Sequence, residues 1–301
     1  MKQLLFIAIL LSGIALPGLS QSPVSQFPSP MQETVRKHSR VHFDTTKGIS
    51  FRIEDVLPKP IFVFIPRNVQ QKKYADIYIH FMGSPEIVAH AAEKNKVIGV
   101  AVNLGSGSSV YVAPFKKPEK FDSLLKIVKE AISYRLNKSI VIKKLYIGCF
   151  SAGYGAIRAI LSNEHHARIT DGVLLLDGLH TGYIPERKLL ADGGVIDSMQ
   201  MQPFLNYVQQ AVQKKSKKKF LFAHSEIFPG TFSSTTETAE FLSNAVGVPA
   251  KPILQSKPGG MQQISNANKN NFTVMGFAGN TAPDHLDYVH NLSYFLRVLK
   301  K

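Results

Sequence analysis

Short apolar segments alternate with helical patterns along most of this 301-residue chain. The apolar segments are continuous rather than alternating with polar residues, which is typical of strands buried on both faces of a sheet. Strands that alternate with helices form parallel sheets covered by helices on both sides. The segments predicted to be such strands are 76–82, 97–103, 141–147, 172–177, 219–224 and 272–278. The sequence therefore predicts an α/β fold with a mostly parallel central sheet.

Other local signals agree with this architecture. Segments 49–57 and 59–66 are separated by Pro58 and are predicted to form an antiparallel pair at one sheet edge. Ser84 and Pro85 are expected at the N-cap and first position of a helix, and residues 234–237 fit a capping box. Residues 119–135 place apolar side chains at steps of three and four, which predicts a helix with one buried face.

The N-terminus is expected to direct export. Residues 1–20 combine a lysine, an apolar core of about 13 residues and a small-residue end, which is typical of a secretory signal and too short to span a bilayer. Residues 21–40 are rich in Ser, Pro and Gln and are predicted to be a flexible lead-in. Residues 41–301 are predicted to form a single domain. We therefore expect a secreted or periplasmic protein with no stable membrane insertion once the signal is removed.

The charge and the cysteine content further narrow the classes of protein to which this chain can belong. The formal net charge is +15, and its densest run is the lysine cluster at 214–219. No nucleic-acid-binding signature accompanies that run, so we interpret it as a solvated helix end and expect no nucleic-acid partner. Cys149 is the single cysteine, which excludes an intrachain disulfide. The sequence does not indicate an oligomeric state.

Ser151 is the candidate nucleophile. It lies in the segment LYIGCFSAGYG (145–155), between an apolar run and a run of small residues that begins a helix. A serine in such a sharp strand-to-helix turn has its hydroxyl exposed, and its neighbours must be small. The full pattern is G-x-S-x-G, and this chain departs from it because Cys149 stands at the first glycine position. Ser151 nevertheless has the setting of an activated serine.

A serine needs a histidine to accept its proton and a carboxylate to orient that histidine. His285 is the favoured histidine because it follows the last predicted strand and is expected in a loop directly before the C-terminal helix. His290 is the alternative, but it falls inside that helix. Two carboxylates compete for the orienting position. Asp177 ends segment 172–177 and is preferred, while Glu226 follows the next strand and stays open as the alternative.

The developing negative charge of a tetrahedral intermediate requires two backbone N–H donors. Ala152, which follows the nucleophile, is predicted to supply one of them. The turn after segment 76–82 is predicted to supply the other, from Gly83 or Ser84, because a glycine allows close approach and a helix begins there.

Three features together resemble the α/β-hydrolase family over residues 76–301. They are the turn at Ser151, the HFMG turn (80–83) and the order along the chain of Ser151, the acid and His285. The resemblance implies a mostly parallel sheet of about eight strands, with 49–66 supplying the first ones, and hydrolysis through an acyl-enzyme. That family most often carries its acid at the position of Glu226 and less often at that of Asp177. Relatives that use a cysteine nucleophile carry it in place of the serine itself, so Cys149 does not take that role.

These observations favour a serine hydrolase that cleaves a carboxylic ester of a small or medium-sized substrate. The chemistry needs neither a metal nor an organic cofactor, so none is expected. An amidase or peptidase would use the same residues, and an inactive hydrolase-fold binding protein is the alternative outside enzymes.

Overall fold

The computed structural model describes residues 47–301. The predicted signal sequence (1–20) and lead-in (21–40) lie outside the described residues. Twelve strands are present in this part of the chain. They are β1 (Gly48–Ile53), β2 (Ile61–Pro66), β3 (Tyr74–Phe81), β4 (Ile98–Val102), β5 (Val141–Phe150), β6 (Gly172–Leu176), β7 (Tyr183–Ile184), β8 (Val195–Ile196), β9 (Lys219–His224), β10 (Lys251–Ser256), β11 (Gln262–Lys269) and β12 (Phe272–Phe277).

Ten of these strands form one sheet, in the order β1-β2-β4-β3-β5-β6-β9-β12-β11-β10. The six strands from β4 to β12 in that order run parallel, as the continuous apolar segments predicted. The edge pair β1–β2 is antiparallel, which confirms the prediction for segments 49–66. The implied number of about eight strands was low by two, because β11 and β10 extend the sheet as an antiparallel hairpin.

The two unpredicted strands of this sheet, β10 and β11, lack an apolar pattern. β10 reads KPILQS and β11 reads QQISNANK, and most of their residues are exposed or half-buried. Such strands are held by ladder hydrogen bonds rather than by burial of their own side chains. β11 pairs with the buried strand β12, and β10 pairs with β11. Apolar periodicity therefore gives no sign of them.

Helices cover both faces of the sheet, and the predicted caps are present. They are α1 (Arg67–Gln70), α2 (Pro85–Asn95), α3 (Ser108–Phe115), α4 (Glu119–Leu136), α5 (Tyr154–Leu161), α6 (Glu164–Ile169), α7 (Ser198–Ala211), α8 (Thr235–Ala245), α9 (Ala282–His290) and α10 (Leu292–Lys300). The Ser84 side chain accepts a hydrogen bond from the backbone of Ile87, and Ser234 with Glu237 forms a capping box. Helix α4 buries the apolar face predicted for it.

The lysine run at 214–219 lies just beyond the end of α7. Lys214, Lys215 and Lys217 are exposed, as expected for solvated side chains. Lys218 is different, because its Nζ donates hydrogen bonds to the carbonyl oxygens of Ala167 and Thr170, at 3.0 and 2.7 Å. These carbonyls belong to the C-terminal end of α6, where a cation is favourable. Within residues 47–301 no helix combines the length and apolarity needed to cross a membrane.

The centre of the sheet is the part of the core that positions the strand ends. Ile147 of β5 is fully buried and pairs in register with Ile79 of β3 and Val173 of β6. We predict that Ile147→Ala lowers the free energy of unfolding by about 2–5 kcal/mol, because the lost methylene groups leave a cavity that the sheet cannot close. Urea denaturation followed by circular dichroism measures the change.

Val141→Ala is the control for that measurement, since Val141 begins the same strand but is 42% exposed. It should cost less than about 1 kcal/mol. Similar losses for the two variants would show that the strand centre is not the buried core described here.

Candidate active site

Ser151 follows β5 directly and begins a short 3-10 turn, Ser151–Gly153, that leads into α5. Its φ angle is 45°, in the left-handed region that residues with a side chain seldom adopt. Two of its neighbours have no room for a side chain. A Cβ on Gly153 would lie 2.4 Å from the carbonyl oxygen of Phe81, and one on Gly155 would lie 2.4 Å from that of Ser108. The small residues are therefore required by close backbone packing.

The departure from the G-x-S-x-G pattern is accommodated one residue earlier. A Cβ on Gly148 would lie 2.3 Å from the Tyr78 hydroxyl, so the glycine is needed there instead. Cys149 is completely buried, and its Sγ lies 4.0 Å from the carbonyl oxygen of Gly178. Burial raises the pKa of the Cys149 thiol well above its ordinary value. The thiol is therefore kept as a small apolar group, not as a nucleophile.

Asp177 follows β6, with a φ angle of 41° and only 2% of its surface exposed. Its Oδ1 accepts hydrogen bonds from the Ser225 backbone N–H at 2.9 Å, the Ser225 hydroxyl at 2.9 Å and the Thr235 hydroxyl at 2.8 Å. Its Oδ2 lies 2.6 Å from Nδ1 of His285. Burial by itself would raise the pKa of Asp177, but His285 and the other donors outweigh it and lower the pKa to about 2. The carboxylate is therefore ionised at neutral pH.

His285 lies in the first turn of α9, and the prediction of a loop position was wrong. The helix begins at Ala282 because Thr281 and Asp284 form a capping box. The T-x-x-D spacing at 281–284 was the sequence signal for this start. The His285 ring packs on Phe150, the residue before the serine, with ring centroids 4.4 Å apart. Because ionised Asp177 can only accept, Nδ1 of His285 carries the hydrogen and Nε2 is left as the proton acceptor.

Ser151, Asp177 and His285 line one cavity of about 510 Å³. Among the hydrogen bonds of residues 47–301, none joins the Ser151 hydroxyl to His285. In enzymes without substrate this bond is often long and tightens when substrate binds. The other residues around the cavity are His180, Ser225, Ile227, Phe228, Pro229, Thr231, Phe232 and Thr235. The cavity thus has a polar end beside the serine and an apolar wall.

Glu226, the alternative acid, lies elsewhere. It is exposed after β9, and it accepts a hydrogen bond from the Gly279 N–H at 3.3 Å while its own N–H donates to the Gly279 carbonyl at 3.0 Å. These bonds tie the loop after β9 to the loop after β12. The preceding residue, Ser225, is the one that reaches Asp177. Glu226 does not line the cavity.

His290, the alternative histidine, and three further histidines do not line the cavity. His290 is buried at the last position of α9 and does not line the cavity. His80 is buried in β3, where its Nδ1 lies 2.6 Å from the Tyr78 hydroxyl. His165 is exposed, and His166 lies 3.0 Å from Asp122.

The candidate oxyanion donors follow two adjacent strands. Gly83 and Ser84 form the turn between β3 and α2, and Ala152 is the second residue of the serine turn. Phe81 pairs with Cys149 at the ends of β3 and β5, so the two turns start at the same level of the sheet. The close contact of Gly153 with the Phe81 carbonyl, described above, brings them together.

Sequence reasoning missed Ser225, Thr235 and His180 as residues of this region. Ser225 and Thr235 appear in the sequence as an ordinary loop serine and a helix-start threonine. Both donate hydrogen bonds to Asp177, and they can do so because β6 and β9 are neighbours in the sheet. No local sequence pattern shows that strands β6 and β9 are neighbours. Within residues 47–301, no group of three or more His, Cys, Asp or Glu side chains is arranged to hold a metal ion.

No protein-family model and no curated protein sequence matches the chain. Solved structures are similar at low identity. A feruloyl esterase module from Clostridium thermocellum is 12% identical, with 86% of this chain and 92% of that chain covered and a TM-score of 0.49. An acetyl xylan esterase from Aspergillus awamori is 12% identical, with 82% and 100% covered and a TM-score of 0.46. An acylaminoacyl peptidase from Pyrococcus horikoshii is 13% identical, with 85% and 41% covered and a TM-score of 0.47.

The strand order of the sheet, with the strained serine directly after β5, decides the fold. The chain has the α/β-hydrolase fold. Asp177 follows β6 in this fold, and Glu226 follows β9. The carboxylate after β6 is the one bonded to His285.

The lowered pKa of Asp177 predicts how the free energy of unfolding changes at acid pH. A carboxylate with a lowered pKa in the folded state stabilises that state at pH values above its unfolded pKa, and the contribution is lost as the pH falls towards the folded pKa. We predict that the stability advantage of the wild type over Asp177→Asn shrinks by about 2 kcal/mol between roughly pH 5 and pH 2. Urea unfolding at a series of pH values measures it. A difference that stays constant over this range would contradict the pKa assigned to Asp177.

Proposed function

We propose that this protein is a serine hydrolase that cleaves a carboxylic ester of a small or medium-sized substrate through an acyl-enzyme. The observation that carries the proposal is the buried 2.6 Å hydrogen bond between His285 and Asp177, on the wall of the cavity that Ser151 also lines. An ionised carboxylate on Nδ1 leaves Nε2 able to take a proton, which is what a serine nucleophile requires.

In the proposed reaction, the Ser151 hydroxyl oxygen attacks the ester carbonyl carbon and its proton passes to Nε2 of His285. The tetrahedral intermediate then collapses, the C–O bond to the alcohol breaks, and His285 returns the proton to the departing alkoxide oxygen. Water repeats the sequence in the second half, with His285 as base, and releases the carboxylic acid and free Ser151. Asp177 stabilises the transient imidazolium and holds its orientation.

The negative oxygen of each tetrahedral intermediate needs donors on the side of the cavity away from His285. We propose the Ala152 N–H as one donor and an N–H of the Gly83–Ser84 turn as the other. Support comes from the contact between the two turns at Gly153 and Phe81, and from the start of α2 at this point, where the helix dipole favours an anion.

The volume of the cavity supports the proposal of a small or medium-sized substrate. Its volume of about 510 Å³ is enough for a ligand of small to medium size, and Phe228 and Phe232 give its wall an apolar surface. An apolar acyl or alcohol group would be buried there while the ester carbonyl lies at the polar end with Ser151.

Labelling with a fluorophosphonate probe tests the proposed function. The probe should form a covalent adduct with the wild-type protein, and Ser151→Ala should abolish the adduct, because the probe requires an activated serine. Ser123→Ala, which changes an exposed serine of α4, is the matched control and should label like the wild type. Intact-protein mass spectrometry reads the adduct.

Two results would contradict the proposal. Equal labelling of Ser151→Ala and wild type would exclude Ser151 as nucleophile. Absence of labelling in the folded wild-type protein would favour an inactive binding protein.

A further inference from the structure

His180 lies beside the serine turn but takes no part in the proposed reaction. It comes three residues after Asp177, and the intervening Gly178 is packed so closely that a Cβ there would lie 2.2 Å from the Ser151 carbonyl oxygen. The segment from Asp177 to His180 therefore runs along the backbone of the nucleophile. His180 lines the same cavity as Ser151 and His285.

The His180 ring is fixed from several sides. Its Nδ1 lies 2.8 Å from the carbonyl oxygen of Ser233. Tyr154 and Phe232 pack edge-on against it, with ring centroids 5.6 and 5.0 Å away. Arg158 donates a hydrogen bond to the His180 backbone carbonyl. A ring held in this way has one orientation, which a recognition group requires.

The contact with Ser233 also fixes the tautomer. A carbonyl oxygen can only accept, so Nδ1 carries the hydrogen and Nε2 has a free lone pair. Nε2 makes no hydrogen bond to any residue in the part of the chain that the structure describes, and it is not among the fully buried atoms without a partner, so it is open to solvent. Burial lowers the pKa of His180 and outweighs the Ser233 carbonyl and Asp177, which raise it, so the neutral ring with its acceptor is favoured at neutral pH.

The surroundings of His180 Nε2 can discriminate between substrates with and without a hydroxyl group. Ile227, Phe228, Pro229 and Phe232 give the same cavity an apolar lining, while the hydroxyls of Ser225 and Thr235 are directed to Asp177. A substrate that fills the cavity displaces water from Nε2. A hydroxyl at that point would replace the lost hydrogen bond, whereas a purely apolar substrate would leave the acceptor unpaired.

We propose that His180 is a specificity-determining residue that accepts a hydrogen bond from a hydroxyl group of the substrate, so that the preferred ester carries a hydroxyl on an apolar body. The proposal rests on the proposed function, because the ligand occupies the same cavity as the scissile ester. His180 binds the substrate and exchanges no proton with the reacting atoms.

Binding to the Ser151→Ala protein tests His180 without any turnover. The probes are 3-phenylpropanoic acid and its derivatives with one hydroxyl at ring position 2, 3 or 4, titrated by calorimetry. At least one hydroxylated acid should bind about 10-fold more tightly than the parent acid. Equal dissociation constants, or no measurable binding of the hydroxylated acids, would overturn the proposal.

Two further variants, each combined with Ser151→Ala, isolate the acceptor. Both His180→Leu and His180→Gln lose the imidazole and its ring contacts, but the glutamine keeps a carbonyl acceptor. The preference for the hydroxylated acid should vanish in His180→Leu and persist in part in His180→Gln, and melting temperatures show that each variant is folded. His165→Leu, at an exposed histidine, should leave the preference intact. A preference that survives in folded His180→Leu would overturn the proposal.

Hydrolysis of the corresponding methyl esters separates the two proposals. The ratio of kcat/KM for the hydroxylated and parent esters should be about 10 in the wild type and near 1 in His180→Leu. If the acids show the binding preference but no ester is cleaved, the proposed function fails, and only the hydrogen bond from a ligand hydroxyl to His180 stands. If both esters are cleaved at equal kcat/KM and both acids bind equally, the role of His180 fails and the hydrolase stands.

Discussion

The hydrogen bond between His285 Nδ1 and Asp177 Oδ2, at 2.6 Å in a buried setting, is the interaction on which the account of this protein depends. A buried carboxylate is costly unless other groups donate to it. Here the Ser225 N–H, the Ser225 hydroxyl and the Thr235 hydroxyl all converge on Oδ1, which leaves Oδ2 for the histidine. The pair brings together residues that follow β6 and β12, although β9 lies between these strands in the sheet.

Ser151 and Asp177 share a second constraint, which is backbone strain at the ends of neighbouring strands. Met82, Ser151 and Asp177 follow β3, β5 and β6, and their φ angles are 67°, 45° and 41°. Each such conformation costs roughly 1–3 kcal/mol and persists only where the surroundings enforce it. The enforcing contacts are the packing of Gly153 on Phe81 and of Gly178 on Ser151, above a core of fully buried strands. Strain at three adjacent strand ends therefore marks the edge of the sheet that carries Ser151 and Asp177.

Local patterns were sufficient for the parallel strands, the helix caps and the serine turn, because each depends on residues close together in the sequence. The choice between Asp177 and Glu226 could not be made in that way. Both follow apolar strands, and only the tertiary arrangement turns Asp177 inwards and leaves Glu226 at the surface, bonded to Gly279. The polar hairpin β10–β11 was missed because its side chains bury little apolar surface. The helical position of His285 was missed although its capping box was visible.

A comparison of kcat/KM for an activated ester between Asp177→Asn and Glu226→Gln tests the central claim most directly. The Asp177→Asn change keeps the shape of the side chain but removes the charge that holds the His285 tautomer, so it should lower kcat/KM by about 10³- to 10⁴-fold. Glu226→Gln changes an exposed side chain outside the cavity and should stay within about threefold of the wild type. A larger loss in Glu226→Gln than in Asp177→Asn would contradict the assignment of Asp177 as the orienting acid.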